Sequence, residues 1–177
     1  DQDCYGLSPD FPDLLSDAVS GLSEHYAEAI MSARLVACPG CYPTAVLTAL
    51  LPVIKLGQVS CDDLIIDAKS GVTGAGRSLN ETNLFSEIAE GLAPYGIAHH
   101  RHAPEIEQEI GFAAGSDNVT INFTPHLVPM NRGELVTIYA KTNGLKADDV
   151  RASLNAFYDD KHFVRIVGAE ETPATRH

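Results

Sequence analysis

The sequence predicts a single α+β domain whose mixed, largely antiparallel sheet carries helices on one face. Short strand-like apolar runs alternate with segments in which apolar residues recur at helical spacing. The 177 residues are enough for one core, and no internal repeat divides them. Apolar residues make up 45% and charged residues 20% of the chain, which is the composition of a globular protein.

The first half of the chain is predicted to centre on a strand and the helix that follows it. Residues 1–22 are polar and contain several Pro and Gly, so we expect a loop with one helical turn. A helix is expected over residues 23–30 and a strand over residues 35–37. From Pro43 onward, apolar residues at helical spacing predict a second helix, which Pro52 should kink or end.

The second half should supply the rest of the sheet and three more helices. Alternation and β-branched residues indicate the strands, and Gly and Pro mark the breaks between elements. The expected elements are a strand at 64–69, a glycine-rich loop at 70–78, a helix at 81–90, a helix from Pro104 to about 114, a strand at 119–123, a polar connection at 124–133, a strand at 134–141, a helix at 147–158 and a strand at 163–167.

Cys41 is the strongest candidate for a chemically active residue. It follows a strand and a Pro-Gly break, so it lies on the turn into a helix. Unpaired N–H groups and the positive end of the helix dipole lie there. Both favour the thiolate, which is the nucleophilic form. We therefore predict a catalytic nucleophile with a lowered pKa, against the alternative of a buried structural cysteine.

A histidine cluster downstream supplies candidates for the acid and base that a cysteine nucleophile needs. His99, His100 and His102 surround an arginine just before a helix that opens with Pro and Glu. Glu105 is available to orient an imidazole. The alternatives are a solvated loop, or core histidines bonded to backbone. The pattern favours Cys–His covalent catalysis.

The glycine-rich segment 71–78 is one residue away from a phosphate-binding loop. It fits G-x-x-x-x-G-K-[ST] except that Arg77 stands where Lys is required. A planar guanidinium does not replace the compact charge of Lys, which disfavours nucleotide hydrolysis. The N–H groups of such a loop can still bind another phosphate. A glycine-rich turn at a subunit contact is the other interpretation. Arg101 and Arg132 are candidates for bidentate binding of an anion.

The cysteines permit one further chemistry. Cys38 and Cys41 form a C-x-x-C between strand and helix, where thioredoxin-like proteins carry a dithiol. The same pair could be half of a zinc site, but Cys4 and Cys61 form no second pair, so we predict no metal. Four cysteines in a domain of this size do not indicate a disulfide framework. We infer a reducing, cytoplasmic location.

Charge and hydropathy limit the partners. The net charge of −12 disfavours nucleic acid, because phosphate binding requires a basic patch. No apolar stretch reaches the ~20 residues of a membrane span, so we expect no membrane partner. A small anionic substrate would need a local cluster of donors. The chain begins at Asp1 without Met, and we expect it to be a piece of a longer protein.

Four segments, in this order, give the chain a family resemblance. They are ARLVACPGCYPTA at 33–45, IDAKSGVTGAGR at 66–77, HRHAPEIEQ at 100–108 and FTPHLVPMNRG at 123–133. Together they resemble the N-acetyl-γ-glutamyl-phosphate reductases of arginine biosynthesis. The chain departs from the family's usual residues at three of these positions: Cys38 for Asn, Thr73 for Ser and Ala103 for Thr.

The resemblance implies an NADP-dependent enzyme with two domains. Residues 1–177 would be the single catalytic and oligomerisation domain, like the C-terminal domain of glyceraldehyde-3-phosphate dehydrogenase. An NADP-binding Rossmann domain is expected upstream and would bind most of the cofactor. The isolated chain should therefore not turn over. The resemblance also implies a homodimer or homotetramer, paired through the sheet.

The resemblance assigns a role to each candidate residue. Cys41 would attack the γ-carbonyl of the acyl phosphate and form a thioacyl enzyme, which NADPH then reduces to the semialdehyde. His100 would be the acid and base, supported by His102 and Glu105. The remaining candidates bind substrate or cofactor: Ser70, Gly71, Arg77, Arg101, His126 and Arg132 for the substrate, and Gly74 for the cofactor.

Overall fold

A computed structural model describes residue 8, residues 10–142 and residues 144–176. The helices are α1 (Ser23–Ser32), α2 (Cys41–Lys55), α3 (Phe85–Ile88), α4 (Ala103–Ala114) and α5 (Ala147–Tyr158). The strands are β1 (Ala18–Ser20), β2 (Leu35–Ala37), β3 (Leu64–Ser70), β4 (Ala93–Pro94), β5 (Ile121–Leu127) and β6 (Glu134–Tyr139). Three 3-10 turns complete the set: Pro12–Asp17, Val72–Ala75 and Glu81–Asn83.

The main sheet has four strands in the order β4-β5-β3-β6. β3 pairs in parallel with β5 and antiparallel with β6, and β4 pairs antiparallel with β5. The sheet is therefore mixed and largely antiparallel, and the predicted fold class is confirmed. The register places Ser70 opposite both Leu127 and Glu134. β1 and β2 form a separate parallel pair.

One face of the sheet packs under the helices and forms the core. Along β3, Leu64, Ile66 and Ala68 are fully buried, while the residues between them are not. They pack against the apolar faces of α2 and α4, where Leu47, Leu51, Ile106 and Ile110 are also fully buried. Truncating a buried Leu or Ile to Ala lowers the free energy of unfolding by ~2–5 kcal/mol. This packing therefore holds α2 and α4 firmly against the sheet.

The opposite face of the sheet is open. Ile65 on β3 is 46% exposed, and Tyr139, its neighbour on β6, is 58% exposed. Leu135 on β6 is 41% exposed. These apolar side chains lie on the face that the helices leave uncovered. Among the described residues, no helix is long and apolar enough to cross a bilayer.

The predicted helix at 81–90 is wrong. A 3-10 turn ends at Asn83, Leu84 is extended with ψ 144°, and α3 then runs for only four residues. Leu84 and Phe85 are 50% and 83% exposed. A short helix depends on packing of its apolar face, and this segment does not bury the face that the sequence suggested.

Other differences lie at strand and helix boundaries. The expected strand at 163–167 is irregular, and β1 and β4 were not predicted. α2 continues past Pro52 to Lys55, so the proline does not end it. β5 reaches Leu127 and includes part of the expected polar connection, because it pairs along its whole length with β3.

Candidate active site

A cavity of about 840 Å³ opens where α2 begins and β3 ends. Cys41 and Ser70 line it from these two elements. His99, His100 and His102 line it from the segment that leads into α4. The predicted nucleophile and the predicted histidine cluster therefore share one concave site. Arg101 and Gly74 are also in its lining.

The start of α2 is held against the start of α4. Gly40 is the N-cap of α2, and Cys41 is its first residue. The backbone N–H of Gly40 donates to Oε1 of Glu105 at 3.1 Å, and Thr44 Oγ1 donates to the Gly40 carbonyl at 2.8 Å. Glu105 therefore positions the turn that carries Cys41. The hydrogen bond observed for its carboxylate is to the Gly40 amide, and the expectation that Glu105 orients an imidazole stays a prediction.

The pKa of the Cys41 thiol is raised from 9.0 to about 11. Desolvation of the sulfur is the largest cause, although Cys41 as a residue is exposed, and the nearby carboxylate of Glu134 is the next. The backbone N–H groups of Cys41 and Tyr42 act in the opposite direction, as expected at a helix N-terminus, but they are outweighed. The location predicted for Cys41 is confirmed, whereas the predicted lowering of its pKa is wrong.

His102 is buried beside the backbone that precedes Cys41. Its side chain is 6% exposed, and its Nε2 lies 2.5 Å from the point where a Cβ on Gly40 would stand. Burial is the main reason that its pKa falls to about 4, followed by His100 and Arg101. Its Nδ1 has no hydrogen-bond partner among the described residues. Only glycine at position 40 lets this neutral ring approach so closely.

His100 lies in an aromatic enclosure. Its ring centroid is 5.7 Å from that of Tyr42, 5.5 Å from that of Tyr95 and 5.3 Å from that of Phe123. Burial, Arg101 and His99 lower its pKa, so the ring is neutral near pH 7. Its Nδ1 accepts the backbone N–H of His102 at 3.2 Å. The neutral ring must then carry its proton on Nε2.

Tyr42 and Tyr95 complete this enclosure and were not among the predicted site residues. Their hydroxyl oxygens are 2.9 Å apart, and Tyr42 is 1% exposed. Burial raises the pKa of Tyr42, which keeps its hydroxyl protonated. Tyr42 could have been predicted from the sequence, because it directly follows Cys41. Tyr95 could not, because the strand that it follows is only two residues long and has no recognisable pattern.

The glycine-rich loop does not form a phosphate cradle. The backbone N–H groups of Gly71, Val72 and Thr73 donate to the carbonyls of residues 133, 130 and 131, at 2.9 to 3.1 Å. Amides used in this way cannot also bind a phosphate. The loop leads into a short 3-10 turn instead of a helix. The phosphate-loop alternative is therefore not favoured.

Four of the predicted substrate residues lie outside the cavity lining: Gly71, Arg77, His126 and Arg132. His126 lies in β5 with its Nδ1 3.2 Å from the carbonyl of Ala68 and 3.3 Å from Asp67. The backbone nitrogen of Arg132 is 2.7 Å from the place of a Cβ on Gly71. Of the predicted substrate residues, the cavity brings together Ser70 and Arg101.

Cys38, Cys41 and Cys61 carry free thiols, and Cys4 lies outside the described residues. Cys38 does not line the cavity that Cys41 enters. Within residues 8, 10–142 and 144–176, no three His, Cys, Asp or Glu are grouped to hold a metal ion. The dithiol interpretation leaves the histidine enclosure without a role.

Comparison with known proteins places these features in a family. Residues 41–177 match the family described as semialdehyde dehydrogenase, dimerisation domain. The chain is 46% identical over 176 residues to N-acetyl-gamma-glutamyl-phosphate reductase of Lachnoclostridium phytofermentans, covering 99% of this chain and 51% of that protein. It is 50% identical over 163 residues to the protein of the same name from Alkaliphilus metalliredigens, covering 92% and 47%. The chain thus spans about half the length of these relatives.

Solved structures share the fold at low identity. A probable aspartate-semialdehyde dehydrogenase from Pseudomonas aeruginosa superposes with a TM-score of 0.63 at 18% identity, covering 95% of this chain and 55% of that one. Aspartate semialdehyde dehydrogenase with NADP from Candida albicans gives a TM-score of 0.51 at 14% identity, covering 77% and 44%. At this identity the likeness establishes the architecture alone.

Proposed function

Because the chain belongs to the semialdehyde dehydrogenase dimerisation-domain family, we propose that it is the catalytic and oligomerisation domain of an NADPH-dependent N-acetyl-γ-glutamyl-phosphate reductase. Relatives that match nearly the whole chain bear that name. The observation that carries the proposal is the shared cavity of Cys41, His100 and His102. The nucleotide-binding domain would lie upstream, and free thiols are in keeping with a cytoplasmic enzyme.

The chemistry begins at Cys41. Its sulfur attacks the γ-carbonyl of N-acetyl-γ-glutamyl phosphate, the C–O bond to phosphate breaks, and a thioester to Cys41 remains. When bound, a nicotinamide cofactor would supply the hydride that reduces this thioester. Collapse of the resulting thiohemiacetal releases N-acetylglutamate semialdehyde and restores the cysteine. The open wall at Gly74, where the nearest atom to a Cβ would be 3.9 Å away, is our candidate for the cofactor side of the cavity.

His100 is the proposed donor to the reacting oxygen. Its neutral ring carries a proton on Nε2, because Nδ1 accepts the His102 amide. An Nε2–H group can donate a hydrogen bond to the oxyanion of each tetrahedral intermediate and give up its proton where required. The backbone N–H of Cys41, at the start of α2, is the second proposed donor. His102 supports the His100 ring from a centroid distance of 4.8 Å.

Arg101 and Ser70 are the proposed contacts of the anionic substrate. Both line the cavity, and a guanidinium can bind a phosphate or carboxylate through two hydrogen bonds. Gly71, Arg77, His126 and Arg132 lie outside the lining, so we assign them no contact. Although the chain as a whole is acidic, these two side chains would give the cavity a local site for an anion.

The experiment is a pair of substitutions in the two-domain enzyme. Cys41→Ser should lower kcat by at least about 10³-fold, because a neutral hydroxyl replaces the nucleophile. Cys38→Ser, three residues away and outside the cavity lining, is the matched control and should keep its activity. The measurement is NADPH oxidation with N-acetyl-γ-glutamyl phosphate. Turnover by Cys41→Ser, or by the isolated 177-residue chain, would contradict the proposal.

A further inference from the structure

The hydroxyl groups of Tyr42 and Tyr95 meet at the wall of the cavity. Their oxygens are 2.9 Å apart, which is hydrogen-bond distance, and both residues line the cavity. Tyr42 directly follows Cys41 in α2 and is 1% exposed. Tyr95 directly follows β4 and is 38% exposed, and its backbone N–H donates to the Pro125 carbonyl of β5 at 3.0 Å. The pair therefore has one buried member and one member that is open to the cavity.

We propose that Tyr95 is a further catalytic residue, whose hydroxyl accepts a hydrogen bond from Tyr42 and donates one to an oxygen at the acyl phosphate end of the substrate. This inference rests on the proposed function, because it takes Cys41 as the nucleophile and N-acetyl-γ-glutamyl phosphate as the substrate. No bond to Tyr95 forms or breaks, and its hydroxyl keeps its proton through the turnover. The contribution of Tyr95 is a fixed dipole aimed at the oxygen on which negative charge develops.

Burial decides which of the two hydroxyls is the donor. The proton of a buried hydroxyl is costly to leave unpaired, and the Tyr95 oxygen lies at hydrogen-bond distance from that of Tyr42. Tyr95 has no such constraint, because it lines the open cavity and its proton can reach solvent or a ligand. Tyr42 therefore donates and Tyr95 accepts, which leaves the Tyr95 proton for the cavity. The bond from Tyr42 also polarises the Tyr95 O–H group and makes it a stronger donor.

The pKa of Tyr42 agrees with this direction of the hydrogen bond. Burial is the largest reason that the pKa is raised, and the Tyr95 hydroxyl raises it further, whereas Ser70 lowers it. A group that accepts the tyrosine proton stabilises the neutral form and raises the pKa, and a group that donates to the tyrosine oxygen lowers it. Tyr95 therefore acts on Tyr42 as an acceptor.

The hydroxyl pair lies beside the groups that would react. The centroid of the His100 ring is 5.5 Å from that of Tyr95 and 5.7 Å from that of Tyr42. His100 is the proposed donor to the reacting oxygen, and Tyr42 is the residue next to Cys41. A neutral His100 brings no positive charge to an oxyanion, so a further donor adds stabilisation there. Among the described residues, the Tyr95 hydroxyl has no second hydrogen-bond partner that would compete with the substrate.

The test measures kcat and KM of the two-domain enzyme with NADPH and N-acetyl-γ-glutamyl phosphate. Tyr95→Phe removes the hydroxyl and keeps the ring beside His100. Its kcat and kcat/KM should both fall at least about tenfold, with KM within about twofold of the parent, because the lost donor acts in the transition state. Tyr26→Phe is the matched control. It removes a hydroxyl that donates to Glu109 at 2.7 Å outside the cavity lining, and it should change neither constant.

A double-mutant cycle separates this role from packing. Tyr42→Phe removes the donor to Tyr95 and should lower kcat by a smaller factor than Tyr95→Phe does. The double variant should be no slower than Tyr95→Phe, because Tyr42 acts through the Tyr95 hydroxyl.

The outcomes distinguish the role of Tyr95 from the proposed function. An unchanged kcat in Tyr95→Phe, a rise in KM alone, an equal loss in Tyr26→Phe, or losses that multiply in the double variant would overturn the role of Tyr95. A parent enzyme without turnover of this substrate, or full turnover by Cys41→Ser, would instead overturn the proposed function.

Discussion

At the scale of single residues, the contact between Gly40 and His102 explains how a buried histidine lies against the turn that carries Cys41. The N-cap conformation of Gly40, with φ −65° and ψ 166°, is open to any residue. The requirement for glycine is therefore steric and not conformational. The missing side chain leaves the space that the His102 ring fills.

Gly40→Ala should displace His102 and destabilise the chain by about 1–3 kcal/mol, the usual cost of overpacking. A Cβ at this position would lie 2.5 Å from Nε2 of His102, and His102 is buried with little room to move. Gly91→Ala is the control, because the nearest atoms to its Cβ would be 3.9 Å away. Urea unfolding measures both variants. Equal stability of the two would contradict the steric argument.

The residues of the site were easier to predict than their electrostatics. Cys41, His100 and His102 follow from motif and position, and the structure brings them to one cavity. A helix N-terminus contributes only ~0.3–1 kcal/mol, less than about one pKa unit. Burial and Glu134 raise the pKa of Cys41 from 9.0 to about 11. Glu134 is 93 residues away in sequence, and no local pattern pairs it with Cys41.

At the scale of elements, two side chains of α1 dock it against the rest of the fold. His25 Nε2 is 3.0 Å from the Tyr158 hydroxyl at the end of α5, and the His25 ring stacks on Phe157 at 4.9 Å. Tyr26 donates to the buried Glu109 of α4 at 2.7 Å. A histidine and a carboxylate, His25 and Glu109, therefore lie at the contacts of α1.

His25→Gln should flatten the pH dependence of stability between about pH 4 and 6.5. Burial and the charge of Lys55 lower the pKa of His25 from 6.5 to about 4. In that window the unfolded chain binds more protons than the folded one, so stability falls as the pH falls. The variant should lose about 1 kcal/mol less than the parent on acidification, allowing for solvent exposure of the ring. Urea midpoints at several pH values give the comparison, and parallel curves would contradict it.

Elements with a buried face were predicted well, and elements without one were not. α2, β3, α4 and α5 were all expected near their observed positions, because their apolar residues follow the period of the element. The helix expected at 81–90 has a similar pattern, but its apolar residues are largely exposed. The spacing of apolar residues predicts which face of a helix or strand could be buried. Whether the helix or strand forms depends on a neighbouring element that packs against that face.

At the scale of the whole molecule, the open sheet face is our candidate for oligomerisation. Ile65, Leu135 and Tyr139 are between 41% and 58% exposed on a sheet whose other face is covered by helices. The family to which the chain belongs is described as a dimerisation domain. An exposed apolar sheet face of this kind fits a second copy of the same face.

Replacing Ile65 and Tyr139 together by Lys should convert a dimer into monomers. The two residues pair across β3 and β6, so two copies of the face would bring at least four like charges together. Leu79→Lys is the control, because Leu79 is fully exposed outside the sheet. Sedimentation velocity measures the species. A parent chain that is already monomeric, or a double variant that stays dimeric, would contradict the assignment.

The most direct test of the central claim is the distribution of thioester among the cysteines after exposure to N-acetyl-γ-glutamyl phosphate without NADPH. Peptide mapping at acidic pH locates the acyl group. We predict a thioester at Cys41 alone, because among the cysteines that the structure describes it is the one that shares a cavity with His100 and His102. A thioester on Cys38 or Cys61, with Cys41 unmodified, would contradict the account.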